Sequence, residues 1–339
     1  MKYRELGSTG IKVSTIGFGA WGIGGVTPGA TSYGETDDKT SLDALSCAKD
    51  KGINFYDTSN VYGAGHSEKL LAGAFKKVRE QVVFATKAGL LEYGKPVNFS
   101  QSSLINSVEG SLQRLQTDYI DLLQLHNVPQ QVIDRPDEVL DVIQSLKKKG
   151  KIRAFGVSVQ NPVDGLAVIN RFSPDSIQVN INLLDMRASI CGLTSLAVTK
   201  KVSLIARTPL CFGFLSGQIA ENTFFPPQDH RSRWSQNQIV SWIKAAQYIL
   251  AAVATTHGEN ASQFALRYCL SVPGVATVIP GIMNKKEALE NSHAGEIGEL
   301  TKEEMEKIST VYLQKVQPIL ENSDGSGMKK PPDPGKISS

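Results

Sequence analysis

Eight short apolar runs, rich in β-branched and aromatic side chains, recur along the chain: Ile16 to Gly19, Asn54 to Asp57, Val82 to Thr86, Ile120 to Leu125, Ala154 to Ser158, Ser176 to Val179, Ser203 to Arg207 and Ala276 to Pro280. Segments of helical period separate them. Leu104, Val108, Leu112 and Leu115 make one stripe behind Ser100 in the N-cap position. Asp137 and Glu138 precede Val139, Val142, Ile143 and Leu146, and Lys147 to Lys149 with Lys151 close that segment around Gly150, an order that suits the helix dipole and cap. An earlier helix starts after Asp37, carries Leu42 and Leu45 and stops at Gly52. Repeated strand, helix, strand order requires parallel pairing through right-handed crossovers. The predicted class is therefore α/β, and eight units favour a closed (β/α)8 TIM barrel. An open doubly wound sheet is the main rival, but Gly17, Gly19, Gly22, Gly24 and Gly25 cluster without the G-x-G-x-x-G spacing that fold uses.

Ahead of the first strand, YRELGSTGIKVS reads as a β-hairpin turning around Gly7 to Gly10. The seventh connection is long, Thr208 to Val275, with helices expected around Ile239 to Thr256 and Ser262 to Leu270. Lys285 to His293 reads as a further helix, and Thr301 with Glu304 forms a capping box for the next. The organisation expected is one barrel domain over residues 1–317 and a disordered, Gly, Pro, Ser and Lys-rich tail over 318–339.

Composition narrows the function classes. With 36 Lys and Arg against 33 Asp and Glu, the net charge of +3 leaves no basic footprint for nucleic acid or an anionic membrane. No apolar window approaches a membrane span, and the charged, glycine-broken N-terminus is unlike a signal peptide. Cys47, Cys191, Cys211 and Cys269 are scattered without zinc or disulfide spacing, so reduced thiols and a cytoplasmic location are expected. The sequence carries no signal of oligomeric state.

In a barrel, side chains at the C-terminal strand ends converge on one face. Asp57 ends the second strand, Lys87 follows the third, His126 follows the fourth, and Tyr62 lies five residues past Asp57. An Asp there can be a turn cap and a His a structural residue. A buried Lys needs a partner, and Asp57 is the obvious one. Such a pair would set a cation beside the Tyr62 phenol and lower its pKa from about 10, which suits a tyrosine general acid. No His and carboxylate cluster has zinc spacing, so no metal is expected.

The segments NFYDTSNVYGAGHSE, VVFATKAG, DYIDLLQLHN, RAFGVSV, IQVNINLL and TVIPG resemble, in order and from Tyr3 to about Val316, those of the aldo-keto reductase family. The resemblance places Asp57, Tyr62, Lys87 and His126 on that family's catalytic tetrad and the hairpin at the bottom of its barrel. It implies reduction of an aldehyde or ketone by NAD(P)H, with Tyr62 protonating the nascent alkoxide and His126 orienting the carbonyl. The implied cofactor contacts are Gly19, Trp21, Asp57, Ser158, Gln178, Arg207, Thr208, Leu210, Gly213, Leu215, Gly281, Met283, Glu287 and Asn291. Two departures stand out. Val159 replaces the usual Asn, and Met283 with Glu287 replace residues that grip an adenosine 2′-phosphate, so NADH competes with NADPH, the family default, although Lys285 and Lys286 lie close by.

A small carbonyl compound is the expected partner. Asp229, His230, Arg231 and Arg233 either face a polar, sugar-like or phosphorylated ligand or form a solvated loop. One alternative is a nicotinamide-nucleotide sensor resembling potassium-channel β-subunits, though no long N-terminal effector arm precedes the hairpin. A barrel hydrolase would need a second acid at a strand end, and none is apparent.

Overall fold

The computed structural model describes residues 1–27, 31–252 and 258–321. A hairpin of β1 (Tyr3–Glu5) and β2 (Lys12–Ser14) precedes eight parallel strands: β3 (Phe18–Gly19), β4 (Phe55–Asp57), β5 (Val83–Ala88), β6 (Ile120–His126), β7 (Ile152–Ser158), β8 (Ser176–Asn180), β9 (Ser203–Arg207) and β10 (Val275–Ile279). Each pairs with its sequence neighbours. The ring closes between the segment leading into β3 and β10, through parallel bridges Ile16 to Val278 and Gly19 to Gly281 and the bond from Gly17 N to Val278 O. Closure removes both sheet edges, as a (β/α)8 barrel requires.

Strand alternation sorts the side chains into two cores. Phe55, Val83, Ala85, Leu122, Ala154 and Ile205 point inward and meet Leu6, Ile11 and Val13 of the hairpin, which plugs the barrel floor. Outward residues such as Tyr56, Phe84, Leu123, Phe155 and Ile177 pack under the helices. The same alternation carries Asp57, Lys87, Gln124 and His126 to inward positions at or near the C-terminal strand ends.

Helix limits follow local chemistry. The Asp37 side chain accepts from Thr40 N at the start of helix Asp38–Asp50, which buries Ala44, Leu45, Cys47 and Ala48 while Leu42 faces solvent. Ser100 precedes helix Gln101–Leu115 without a side-chain capping bond; Asn98 Oδ1 accepts from Ser100 N instead. Helix Asp137–Lys148 ends before Gly150 at φ 70°. There Lys147 and Lys151 also pair with Asp175 and Glu109. The Thr301 and Glu304 capping box forms in full. In the seventh connection, helices Gln236–Ala252 and Ala261–Ser271 appear; the expected extension to Thr256 lies outside the described residues. A later helix, Lys285–Ile297, runs one turn past His293. Helix Gln317–Glu321 crosses the expected tail boundary at Pro318 because Leu320 is buried; the rest of that tail, residues 322–339, lies outside the described residues.

Candidate active site

A cavity of about 280 Å³ opens at the C-terminal face of the barrel. Asp57, Tyr62, His126, Gln178, Arg207 and Trp21 are among its walls, so residues from five strand ends meet in one space. Lys87 lies just beneath and is fully buried. Its Nζ donates to Asp57 Oδ1 at 2.5 Å, to Thr58 O at 2.8 Å and to the Tyr62 hydroxyl at 3.1 Å, which saturates the ammonium. Asp57 Oδ2 accepts from Gln124 Nε2 at 2.9 Å and Gln178 Nε2 at 2.7 Å. The buried carboxylate is thus fully satisfied.

Tyr62 reaches this position through a contact between two glycines. The loops after β3 and β4 touch at Gly24 and Gly63, and a Cβ on Gly63 would lie 1.9 Å from Gly24 O. Gly63 also sits at φ 58°, which glycine adopts without strain. Burial pushes the Tyr62 phenol well above its usual range, Asp57 adds to the rise, and Arg207 opposes it. The shift is therefore upward, opposite to the downward direction expected from the sequence: desolvation of the phenolate outweighs the pull of Arg207. Burial likewise holds Lys87 below the usual lysine range, against the pull of Asp57.

His126 lies edge-on to the Tyr62 ring at 6.4 Å, with Nδ1 3.4 Å from Ser59 Oγ. Burial, then Lys87 and Arg207, keep its pKa well below 6.5, so the imidazole is neutral at pH 7. A neutral ring keeps one N–H to donate.

Ser158 and Gln178 stand side by side in register on β7 and β8. Ser158 Oγ is buried without a partner, and Gln178 spends its amide nitrogen on Asp57 and Gln124, keeping its carbonyl oxygen. One free hydroxyl and one free amide oxygen fit the carboxamide of a nicotinamide. Val159 is buried; its backbone N donates to Gln178 O and its backbone oxygen accepts from Arg207 Nη2. Thr208, Cys211 and Phe212, none of them glycine, join Gly213 and Gly217 at positive φ in the loop after β9. Leu215 is buried, and the backbone N–H groups of Gly213 and Leu215 are both used by Leu210 O.

At the far rim, Gly281 is exposed and Asn291 buried, and the Met283 side chain lies against Gly22. Glu287 is pinned: its oxygens accept from Met283 N at 2.8 Å and Asn284 Nδ2 at 2.9 Å. It helps start helix Lys285–Ile297, a role that its position four residues past Met283 did not reveal. Lys285 and Lys286 are exposed.

Sequence reasoning missed other wall residues. Tyr93, Asn127 and Asn180 line the cavity. Only the loop position of the first two and the inward register of Asn180 beside Arg207 hint at this. The Asp229 segment is no solvated loop. Asp229 and His230 are buried, Asp229 pairs with Arg231 at 2.7 Å, and only Arg233 of the two arginines is exposed. His230 sits among Trp21, Tyr33, Phe212 and Trp234, with ring centroids 4.9 to 5.2 Å away. His230 N donates to Ser32 O, tying the loop after β9 to the loop after β3.

A closed parallel barrel with a lysine, carboxylate, phenol and imidazole at its mouth defines a class of barrel oxidoreductases. Residues 15–313 match the model of the Aldo/keto reductase family, and the chain belongs to that family. Aldo-keto reductase YhdN of Bacillus subtilis (strain 168) is 32% identical over 83% of this chain and 85% of its own. L-galactose dehydrogenase of Arabidopsis thaliana is 29% identical over 95% of both chains. A probable voltage-gated potassium channel subunit beta of Oryza sativa subsp. japonica is 27% identical over 93% of this chain and 98% of its own. Among solved structures, the glycerol dehydrogenase AKR11B4 from Gluconobacter oxydans superposes with a TM-score of 0.78, at 26% identity over 96% of this chain and 98% of that one.

Proposed function

We propose that the protein reduces an aldehyde or ketone to an alcohol, with Tyr62 as general acid. The carrying observation is the buried run Asp57, Lys87, Tyr62, in which a protonated phenol sits 3.1 Å from an ammonium that is itself fixed by a carboxylate. A bound NAD(P)H supplies hydride to the carbonyl carbon. A raised pKa keeps Tyr62 protonated before reaction, as an acid must be. As its proton passes to the carbonyl oxygen, the forming phenolate gains the attraction of Lys87, which favours the transition state over the ground state. His126, neutral, donates its N–H to the same oxygen and aligns it. Ser158 and Gln178 would hold the carboxamide, while Gly19, Trp21, Arg207, Thr208 and Leu210 would border the ring. The loop through Gly213 and Leu215 would lie over the diphosphate.

Glu287 fixes a carboxylate beside Met283, where the adenosine ribose is expected with Gly281 and Asn291. A fixed negative charge there disfavours a 2′-phosphate, so NADH should bind at least as tightly as NADPH, the family default. Tenfold tighter binding of NADPH in a titration would overturn that preference. A sugar-like or polyol substrate is consistent with two relatives named as an L-galactose dehydrogenase and a glycerol dehydrogenase. The resemblance to a potassium channel beta subunit supports a second reading, a nucleotide sensor. Stopped-flow oxidation of the bound cofactor by a panel of aldehydes separates the two, because a pure sensor shows no substrate-dependent turnover.

A further inference from the structure

We propose that Arg207 recognises an anionic group on the substrate, so that the preferred carbonyl compound carries a carboxylate or phosphate close to its reacting carbon. The inference rests on the carbonyl-reductase reading of the site and adds a substrate class to it.

Arg207 ends β9 and lines the cavity shared by Tyr62 and His126. Its guanidinium makes one protein hydrogen bond, Nη2 to Val159 O at 3.0 Å. Nε is sealed from solvent without a partner. Among the described residues no carboxylate pairs with it. The contrast with other arginines is sharp: Arg79, Arg114, Arg187, Arg231 and Arg267 are each bound to an acid at 2.7 Å or less. A partly buried guanidinium costs desolvation energy that an opposite charge normally offsets.

The cavity has no spare negative charge to serve. Asp57 is matched by Lys87, and both its oxygens are occupied. His126 and Tyr62 are neutral, so the site carries one net positive charge. Next to Arg207 in register, Asn180 accepts from Thr208 through Oδ1, leaving its amide N–H groups without a protein partner. Guanidinium and amide donors on one wall match an oxyanion, which arginine binds with paired N–H groups. Two sources carry such oxygens, the substrate and the cofactor diphosphate, and the experiment separates them.

The test compares matched pairs, 4-oxobutanoate with butanal and glyceraldehyde 3-phosphate with glyceraldehyde. We expect kcat/KM in the wild type to favour each anionic member at least tenfold. Arg207→Met should bring that ratio close to one, and Arg207→Lys should restore part of it. Succinate binding to the NADP⁺-loaded protein, followed by calorimetry, needs no turnover and should be lost in R207M. Equal use of both members by the wild type, with no succinate binding, overturns the proposal whatever the variants do. So does a tenfold loss of NADPH affinity in R207M with the pair ratio unmoved, which would assign the guanidinium to the diphosphate. Arg207-dependent succinate binding without turnover of any carbonyl would sustain the anion site and overturn the carbonyl reading instead.

Discussion

Replacing Lys87 by Met removes the charge that the proposed mechanism uses when the Tyr62 proton leaves. At the observed 3.1 Å and an effective dielectric of about 20, attraction between ammonium and phenolate amounts to about 5 kcal/mol. At about 1.4 kcal/mol per tenfold in rate, that bounds the loss at three to four powers of ten. Water entering the vacated space returns part of it, so kcat should fall by at least about 100-fold. The variant also strands the Asp57 carboxylate, 2.5 Å from the missing ammonium and almost wholly buried. Leaving one member of a buried pair alone costs about 3–5 kcal/mol. The assay therefore pairs K87M with the double variant Asp57→Asn, Lys87→Met, following Tm and steady-state reduction of the best carbonyl from a panel. The single variant should melt several degrees early and the double variant should regain most of that, while both stay slow. A K87M protein that folds, binds cofactor and retains kcat within tenfold of wild type would show that the Lys87 charge does not assist proton transfer from Tyr62.

Other consequences are as direct. Gly63→Ala drives a Cβ into Gly24 O and forces a strained φ; it should cost about 2 kcal/mol of stability and lower kcat by moving Tyr62, both readable from melting and kinetics. Burial lowers His230 to about 4. The unfolded state therefore takes up a proton below about pH 6.5 that the folded state refuses, and stability falls as pH drops from 6.5 to 4, by up to about 3 kcal/mol from this residue. His230→Phe should flatten the Tm profile over that window, and an unchanged slope would contradict the shift. Glu287→Ala removes a fixed carboxylate and the acceptor of Met283 N; the ratio of NADPH to NADH affinity should rise at least tenfold, measured by fluorescence titration.

The strands were legible because alternation and β-branching are written locally, and the inward parity of Asp57, Lys87 and His126 follows once each strand is placed. Tyr62 was legible only as a spacing from Asp57; its final position depends on the Gly24 and Gly63 contact between separate loops. The direction of its pKa shift was misjudged because sequence shows which charges are near but not how completely water is excluded. Glu287 was legible only as a replacement at the adenosine 2′-phosphate position, because its bonds to Met283 N and Asn284 Nδ2 depend on how the helix begins. The Asp229 to Arg231 segment looked solvated because the pairing of Asp229 with Arg231 and the packing of His230 on aromatic rings, Trp21 and Tyr33 of the distant β3 loop among them, form only in the folded chain. The isolation of Arg207 is equally invisible in sequence, since an absent partner appears only when all neighbours are in place.

If Tyr62 gives the proton, Tyr62→Phe removes the acid and leaves the rest of the site in place. Single-turnover reduction of the preferred carbonyl by the cofactor-loaded variant should slow by at least about 100-fold while cofactor affinity stays within twofold of wild type. A variant that binds cofactor equally well and reduces every accepted carbonyl at the wild-type rate would contradict the account.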